Sequence, residues 1–394
     1  MFKITPKKNG LENVQGFSFN GTNVGFKDDE ADVGFIRSET PCDISAVFTT
    51  NKFQAAPIVH FNSYDKDFKT NFLLVNSKNA NAMTGAKGVE DIEAIFSTLS
   101  SKLELINPIM SSTGVIGYRL NQPKLISAFD KFDFKSRNSD MFSQSIMTTD
   151  SFKKELAYSV TLEDGSSFNI AAVCKGAGMI NPSMATMLCF VITDADIPKS
   201  DMDEILLEAT YESFNKISVD GDTSTNDTVM LLANQSSASY DKEAFSEAIN
   251  MMMFELSQMI LRDGEGSNKV VAFEVINAKN KEEARKVSMA LSNSLLVKTA
   301  LFGEDPNWGR IASTVGSCGV LCDEESLKIY YNDLLIYSCE YRELDKIRED
   351  KASIIMKKDS FRIICDLGVG KSSFTSYGCD LSYEYVKINA EYRT

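Results

Sequence analysis

The chain has 394 residues, of which 43% are hydrophobic and 24% charged, and its formal net charge at pH 7 is −14. This composition is typical of a globular protein with two domains or one large two-part fold. The acidic balance argues against nucleic-acid binding, because phosphates would repel the chain and no basic stripe offsets the charge.

The ends and the apolar runs of the sequence predict a cytoplasmic protein without a membrane anchor. The N-terminal sequence MFKITPKKNG has no apolar stretch after its basic residues, unlike a secretory signal. The apolar runs, such as residues 187–192, fall far short of the ~18–20 residues that a membrane helix needs. The eight cysteines form no CxxC pair and are expected to be reduced thiols. With one histidine and no clustered thiolates, we expect no metal site.

The hydrophobic pattern predicts strands and helices mixed along the whole chain. In chain order it predicts strands at residues 58–61 and 71–75, a helix at 89–103, strands at 168–173 and 187–192, helices at 202–214, 241–261 and 281–301, and strands at 327–331, 353–356, 361–365 and 383–388. The helix at 89–103 carries Ile92, Ile95, Phe96 and Leu99 on one face, and the one at 241–261 follows the same 3.6-residue period.

Two features of the sequence narrow the chemistry. His60 is the only histidine and lies in an apolar run, so we expect it to be structural and expect acid–base chemistry to use another group. Residues 368–372 end like a phosphate-binding loop, but Cys365 stands where that motif needs glycine. We therefore expect no bound nucleotide and no cofactor.

Residues 175–188, KGAGMINPSMATML, lead through glycines and a proline to a threonine and an apolar run. Spacing alone favours an ordinary loop that enters a strand, with Thr186 as a strand residue. The alternative is a nucleophilic threonine. If the bond before Thr186 is cut, its own α-amine, with a pKa near 8, becomes a base that needs no histidine.

This segment resembles the self-cleavage motif of the ornithine acetyltransferase family, K-G-x-G-M-x-x-P-x-x-A-T-M-L. Further blocks of the same family follow one another in order along nearly the whole chain: VFTTN at 47–51 with AAP at 55–57, NSKNANA at 76–82, STGVIG at 112–117, TTD at 148–150, DGDTSTNDT at 220–228, DGEG at 263–266, DPNWGR at 305–310 and INAEYRT at 388–394. So many blocks in one order make chance agreement an unworkable explanation.

The resemblance implies an α/β fold of the ornithine acetyltransferase type, a layered sandwich with helices outside packed β-sheets and an N-terminal-nucleophile-like self-cleaving site. It implies autocatalytic cleavage between Ala185 and Thr186. The products would be an α chain, residues 1–185, and a β chain, residues 186–394, which stay associated as an α2β2 heterotetramer.

The resemblance also implies roles for single residues. Thr186 is the nucleophile, and Thr113 with Gly114 forms the oxyanion hole, although a Thr-Gly pair alone would indicate only a turn. The resemblance implies substrate binding by Thr186 itself and by Thr149, Lys175, Glu265, Asn389 and Thr394. Glu265 is also expected to assist proton transfer. The family usually continues Gly-Glu-Gly with Ala-Thr, whereas this chain has Ser267 and Asn268.

The activity implied is that of a glutamate N-acetyltransferase of arginine biosynthesis. Thr186 would take the acetyl group of N-acetylornithine, and glutamate would then remove it as N-acetylglutamate, in a ping-pong mechanism. Three alternatives stay open. In the first, the enzyme also accepts acetyl-CoA and is bifunctional. In the second, the chain is a self-cleaving aminopeptidase-type hydrolase, although those typically use serine. In the third, it is a non-catalytic binding protein.

Overall fold

The computed structural model of the chain describes residues 1–181 and 187–391. They form a mixed α/β fold, as predicted, with helices packed on β-sheets. In chain order the elements are β1 (Phe2–Lys7), β2 (Phe17–Thr22), β3 (Val33–Phe48), α1 (Ala56–Phe61), β4 (Lys69–Asn76), α2 (Ala86–Leu99), β5 (Ile109–Ser112), α3 (Gln122–Lys131), α4 (Ser139–Ile146), β6 (Lys154–Leu162), β7 (Ser167–Lys175), β8 (Leu188–Thr193), α5 (Lys199–Glu212), β9 (Ile217–Ser218), β10 (Thr228–Ala233), α6 (Lys242–Arg262), β11 (Val270–Ala278), α7 (Lys281–Asn293), α8 (Leu295–Phe302), α9 (Trp308–Ser317), β12 (Lys328–Tyr331), β13 (Leu334–Tyr337), α10 (Lys346–Met356), β14 (Ser360–Asp366), β15 (Ser372–Cys379) and α11 (Tyr383–Ala390).

The elements group into two compact units. The first comprises Met1–Gly176, Thr223–Ser257 and the described part of Ser183–Asn215. The second comprises Lys216–Asp222 and the described parts of Ala177–Pro182 and Gln258–Thr394. The predicted division into chains 1–185 and 186–394 concerns a bond outside the described residues and stays a prediction.

The first unit is built on a nine-stranded sheet in the order β1-β6-β7-β8-β10-β3-β4-β5, with β2 paired to β3. Alternate residues of β4 enter two different cores: Leu73 and Val75 pack on one face, and Phe72 and Leu74 on the other. Helix α2 covers the second face with the apolar stripe predicted from the sequence. The sheet is therefore buried on both faces in this region.

The position of β8 matters most for the site. It pairs antiparallel with β7 and parallel with β10, so that Leu188 is opposite Lys175 on one side and Thr228 on the other. The last residue of β7 and the first of β10 thus flank the beginning of β8. Met187, which follows Thr186 in the sequence, comes directly before β8.

The second unit is built on a six-stranded sheet in the order β13-β12-β14-β11-β15-β9. Helix α7 packs Val287 and Leu291 into a core that includes Val271 and Phe273 of β11. This core is closed by residues of β12, β14 and α9, so the unit has an apolar interior of its own.

Three predicted strands are wrong and are helices instead. Residues 58–61 belong to α1, in which Pro57 occupies the first turn, where its missing N–H is not needed. Residues 353–356 are the last turn of α10, whose N-cap Asp345 accepts a hydrogen bond from the Arg348 N–H at 2.9 Å. Residues 383–388 lie in α11. Apolar runs this short fit either structure, and periodicity cannot separate the two.

The predicted helix at 281–301 is two helices, α7 and α8, separated by Ser294. This residue has an extended backbone (φ −68°, ψ 112°), and its hydroxyl caps α8 by accepting the Val297 N–H at 3.4 Å. The other predicted strands and helices are confirmed within a few residues at their ends. His60 is buried in α1 with its ring against that of Tyr64, centroids 5.2 Å apart, which fits a structural role.

Within residues 1–181 and 187–391, no helix is both long enough and apolar enough to cross a membrane. The eight cysteines all lie in these ranges, and no disulfide joins them.

Candidate active site

The predicted site residues fall into three groups. Ala185, Thr186 and Thr394 lie outside the described residues. Thr113, Gly114, Thr149 and Lys175 belong to the first unit, and Glu265 and Asn389 to the second. Within each unit the structure brings predicted residues together with others that the sequence did not single out.

Thr113 and Gly114 directly follow β5 and are held against the chain after β4. The Thr113 N–H donates to the Asn76 carbonyl at 3.0 Å, and the Val115 N–H donates to the Lys78 carbonyl at 3.3 Å. Between them, the Thr113 hydroxyl and the Gly114 N–H have no hydrogen-bond partner within the described residues. Thr113 is buried. Two adjacent donors are thus left available, which is what stabilisation of an oxyanion requires.

The backbone at Gly114 accepts only glycine. Its φ is +131°, and a Cβ added there would lie 2.2 Å from the carbonyl carbon of Lys78 and 2.5 Å from the nitrogen of Asn79. These are backbone atoms, which cannot rotate away as a side chain could. The close approach of the two chain segments therefore fixes the direction of the Gly114 N–H.

A side-chain amide from before β10 secures the same region. Asn226 is buried, and its Nδ2 donates to the carbonyls of Ala80 at 2.6 Å and Ser112 at 2.8 Å. The Ser112 hydroxyl in turn donates to Asn76 Oδ1 at 2.7 Å. Asn226 thus connects the strand that leads to Thr113 with the start of β10.

Lys175 ends β7 and is almost completely buried, at 1% exposure. It lies in the electrostatic range of Asp150, which also binds Lys154 Nζ at 2.7 Å and accepts the Gly176 N–H at 2.7 Å. Burial alone would raise the pKa of Asp150, but the charges of Lys154 and Lys175 and the hydrogen bonds outweigh it, so the pKa is lowered. Thr149, half-buried, immediately precedes Asp150. A buried cation beside a predicted substrate position suits a carboxylate ligand.

Asp227 was given no role in the sequence analysis. It flanks the beginning of β8 on the side opposite Lys175. Its Oδ1 accepts the Met187 N–H at 3.2 Å, and its backbone carbonyl accepts the Thr49 N–H at 3.0 Å. The carboxyl is fully buried, and burial raises its pKa well above the usual range, although the charge of Lys175 and hydrogen bonds from Met187 and the Thr49 side chain oppose this. Asp227 and Lys175 therefore occupy opposite sides of the strand that Thr186 precedes.

In the second unit, Glu265 lies against the loop that follows β7. Its N–H donates to the Ala177 carbonyl at 2.9 Å, and its Oε2 accepts a hydrogen bond from Asn389 Nδ2 at 2.7 Å. A Cβ at Gly178 would lie 2.5 Å from the Glu265 carboxylate. Glycine at 178 therefore lets this carboxylate approach the loop, and the two predicted residues Glu265 and Asn389 are in direct contact.

Asp220 holds the same loop and the C-terminal helix. Its carboxylate accepts the N–H groups of Met179 at 2.6 Å and Ile180 at 2.9 Å, and the Tyr385 hydroxyl of α11 at 3.2 Å. Burial raises the pKa of Asp220 above its usual value, although the hydrogen bonds from backbone N–H groups oppose it. Since α11 also carries Asn389, Asp220 connects the two segments that position Glu265.

The departure from the family pattern at Asn268 has a local explanation. The buried Asp380 accepts the N–H groups of Asn268 at 2.8 Å and Lys269 at 3.0 Å, and Asn268 Nδ2 adds a third hydrogen bond at 2.9 Å. Asn268 therefore contributes one side-chain hydrogen bond to the anchoring of the loop that follows Glu265.

The residues that sequence reasoning missed are buried polar groups inside the recognised blocks. Asp220, Asn226 and Asp227 belong to DGDTSTNDT, and Asp150 to TTD. Their presence in those blocks was the only available signal, because which atoms they hold depends on strand pairing. Among the described residues, no group of three or more histidine, cysteine, aspartate or glutamate side chains is arranged to hold a metal ion.

A model of the ArgJ family matches residues 18–394. A relative from Wolinella succinogenes, named arginine biosynthesis bifunctional protein ArgJ, is 53% identical over 396 residues and covers 100% of both chains. A protein from Methanococcus maripaludis named glutamate N-acetyltransferase is 41% identical, covering 98% of each chain. A crystal structure of an ArgJ protein from Bacillus halodurans matches 51% of this chain and 98% of its own, with 35% identity and a TM-score of 0.48. The resemblance stated from the sequence is confirmed, and the chain belongs to the ArgJ family.

Proposed function

We propose that this protein is a self-cleaving glutamate N-acetyltransferase that moves an acetyl group from N-acetylornithine to glutamate through an acetyl-threonine at Thr186. The observation that carries the proposal is the pair of adjacent donors after β5, the Thr113 hydroxyl and the Gly114 N–H, neither of which has a partner within the described residues. Family membership supports the choice of reaction, since a relative 41% identical bears the name glutamate N-acetyltransferase.

In the first half-reaction, Thr186 Oγ attacks the acetyl carbonyl of N-acetylornithine. The freed α-amine of Thr186 takes the hydroxyl proton, the C–N bond of the acetyl amide breaks, and ornithine leaves with a proton. The oxygen of the tetrahedral intermediate becomes negative, and Thr113 and Gly114 donate hydrogen bonds to it. Removing one such donor typically costs about 10²–10³ in rate.

In the second half-reaction, the amine of glutamate attacks the acetyl-threonine ester and the hydroxyl of Thr186 is restored. Lys175 would bind the α-carboxylate that both amino acids share, and Thr149 would lie beside it. Glu265 Oε2 accepts a hydrogen bond from Asn389 Nδ2 at 2.7 Å. Its carboxylate would bind the substrate amine or accept a proton from it. Thr394 is retained as a substrate-binding position.

The Ala185–Thr186 bond is cut by the same hydroxyl, giving two chains that stay together as α2β2 in the cytoplasm, without a bound cofactor. A second activity, with acetyl-CoA as donor, is also proposed. It is favoured by the name of the relative 53% identical, a bifunctional protein of arginine biosynthesis.

The test is steady-state kinetics of purified protein with N-acetylornithine and glutamate, with acetyl-CoA as donor in a parallel series. A covalent intermediate predicts parallel double-reciprocal lines and an acetyl group on the peptide that begins at Thr186, detected by mass spectrometry after mixing with donor alone. Intersecting lines without acetylated Thr186 would show direct transfer in a ternary complex. Hydrolysis of the donor without transfer would favour the hypothesis of an aminopeptidase-type hydrolase.

A further inference from the structure

The carboxylate of Asp150 connects three segments of the first unit. Its Oδ1 accepts hydrogen bonds from Lys154 Nζ at 2.7 Å and from the Gly176 N–H at 2.7 Å. Its Oδ2 accepts the Thr148 N–H at 3.0 Å. Lys154 is the first residue of β6, and Gly176 directly follows the last residue of β7, the strand paired with β6. One side chain thus joins the loop before β6 to the ends of two neighbouring strands.

Two of these hydrogen bonds fix the backbone beside predicted substrate positions. The peptide between Lys175 and Gly176 is planar, so the acceptor that holds the Gly176 N–H also fixes the plane of the Lys175 carbonyl. Thr149 lies between Thr148 and Asp150, so the hydrogen bond from the Thr148 N–H to Asp150 Oδ2 spans it. The same carboxylate therefore restrains the chain at both predicted positions, Thr149 and Lys175.

Asp150 also supplies negative charge to buried cations. The side chains of Asp150 and Lys154 have no solvent exposure, and Lys175 is 1% exposed. Burial alone would raise the pKa of Asp150, but the charges of the two lysines and the hydrogen bonds lower it below its usual value, so the group is a carboxylate. Asp227 lies in the electrostatic range of Lys175 as well, but burial raises its pKa and leaves it less ionised. Because burial disfavours a charged lysine, the charge of Asp150 helps Lys175 to remain a cation.

We propose that Asp150 is a positioning residue for substrate binding, which holds Lys175 and Thr149 in the arrangement that binds the α-carboxylate shared by N-acetylornithine and glutamate. This inference rests on the proposed function. Asp150 is completely buried, so it would act through these two neighbours. Lys175 would contribute the charge and Thr149 a hydroxyl, and the common anchor keeps their backbones in register.

The test compares the wild-type, full-length enzyme with Asp150→Asn in acetyl transfer from N-acetylornithine to glutamate. The amide has no charge and one oxygen in place of two, so it cannot accept all three hydrogen bonds. Loss of an aligned contact between a charged group and the carboxylate should raise the KM of both substrates about 10-fold. The value of kcat should stay within a few-fold, because the lost interaction is one of binding. A merely structural role would instead lower the amount of active protein and leave both KM values unchanged.

A competitor without the carboxylate separates the two roles further. N-acetylputrescine is N-acetylornithine without its carboxylate, and it is added as a competitor of N-acetylornithine. Its inhibition constant should be the same within a few-fold for the wild type and Asp150→Asn, because it has no carboxylate contact to lose. An inhibition constant that rises as much as the KM of N-acetylornithine would overturn the inference.

Asp194→Asn is the matched control. Asp194 is a buried aspartate of the same unit that also accepts a backbone N–H, that of Asn169 at 2.6 Å, but beyond the other end of β8. This variant should keep both wild-type KM values. Equal increases of KM in Asp194→Asn and Asp150→Asn would overturn the inference, because any buried aspartate would then have the same effect.

A second variant covers the case in which Asp150→Asn does not fold. Removing one partner of a buried ion pair is strongly destabilising, whereas removing both is often tolerated. The double variant Asp150→Asn with Lys154→Met removes both charges, and thermal melting verifies its folding. It should still show the raised KM of both substrates. Wild-type KM values in the double variant would overturn the inference, because Asp150 would then serve only to neutralise Lys154. Failure of the proposed function is distinct, since it would appear as absent acetyl transfer in the wild-type protein.

Discussion

Replacing Gly114 by alanine tests whether the turn after β5 is an oxyanion hole. The new Cβ would lie 2.2 Å from the Lys78 carbonyl carbon, against an ordinary contact of roughly 3.5 Å, so one segment must move by about 1.3 Å. A displacement of about 1 Å at a catalytic group can cost about 10²-fold in rate. Because the Gly114 N–H is itself a proposed donor, we expect kcat to fall by about 10²–10³, or roughly 2.7–4 kcal/mol.

Gly117→Ala is a control on the same segment. Gly117 also has a positive φ, +95°, but a Cβ there would meet nothing within 4 Å. The Gly117→Ala variant has the backbone strain of an alanine with positive φ, but its Cβ meets no other atom. Its kcat should therefore stay within a few-fold of the wild type. Both variants are compared by initial rates of acetyl transfer to glutamate, with thermal melting to verify folding. The oxyanion-hole assignment fails if Gly114→Ala keeps wild-type kcat, or if both variants lose activity equally.

Further predictions concern the nucleophile, the second unit and the single histidine. Thr186→Ala should remain one uncut chain without transferase activity, whereas Thr186→Ser should still cleave, more slowly. Denaturing mass spectrometry and N-terminal sequencing show whether each variant is cut. Cleavage of the alanine variant would mean that the nucleophile is another residue. Asn389→Ala should lower kcat/KM about 10-fold by removing a hydrogen bond to the Glu265 carboxylate, while Lys387→Ala on the same helix should not. Burial lowers the pKa of His60 below 6.5, so the unfolded state binds more protons than the folded state just below that pH. The free energy of unfolding should therefore fall as the pH drops from 6.5 towards the folded-state pKa. Urea unfolding of wild type and His60→Phe at pH 7 and at lower pH measures this, and an equal slope in both would contradict it.

Long periodic segments were predictable from the sequence, because a helix buries every third or fourth residue whatever it packs against. Helix α6 begins one residue after the predicted 241, where Asp241 accepts the Ala244 N–H at 2.8 Å. Short apolar runs were not predictable in the same way. Residues 58–61 and 383–388 are helical, although runs of four to six residues fit a strand as well as a helix and do not decide between them.

The sequence by itself determined the family, the reaction it implies and the identity of the candidate residues. Ordered blocks of residue types can be recognised without any knowledge of contacts. Only the tertiary structure decided which of these residues meet. The pairing of β8 between β7 and β10 brings Lys175 and Asp227, 52 positions apart by their numbers, to opposite sides of one strand. The contact of Glu265 with Asn389, and the burial that raises the pKa of Asp227, likewise depend on long-range packing. A carboxyl group's environment is a property of the folded chain, and no local pattern in the sequence specifies it.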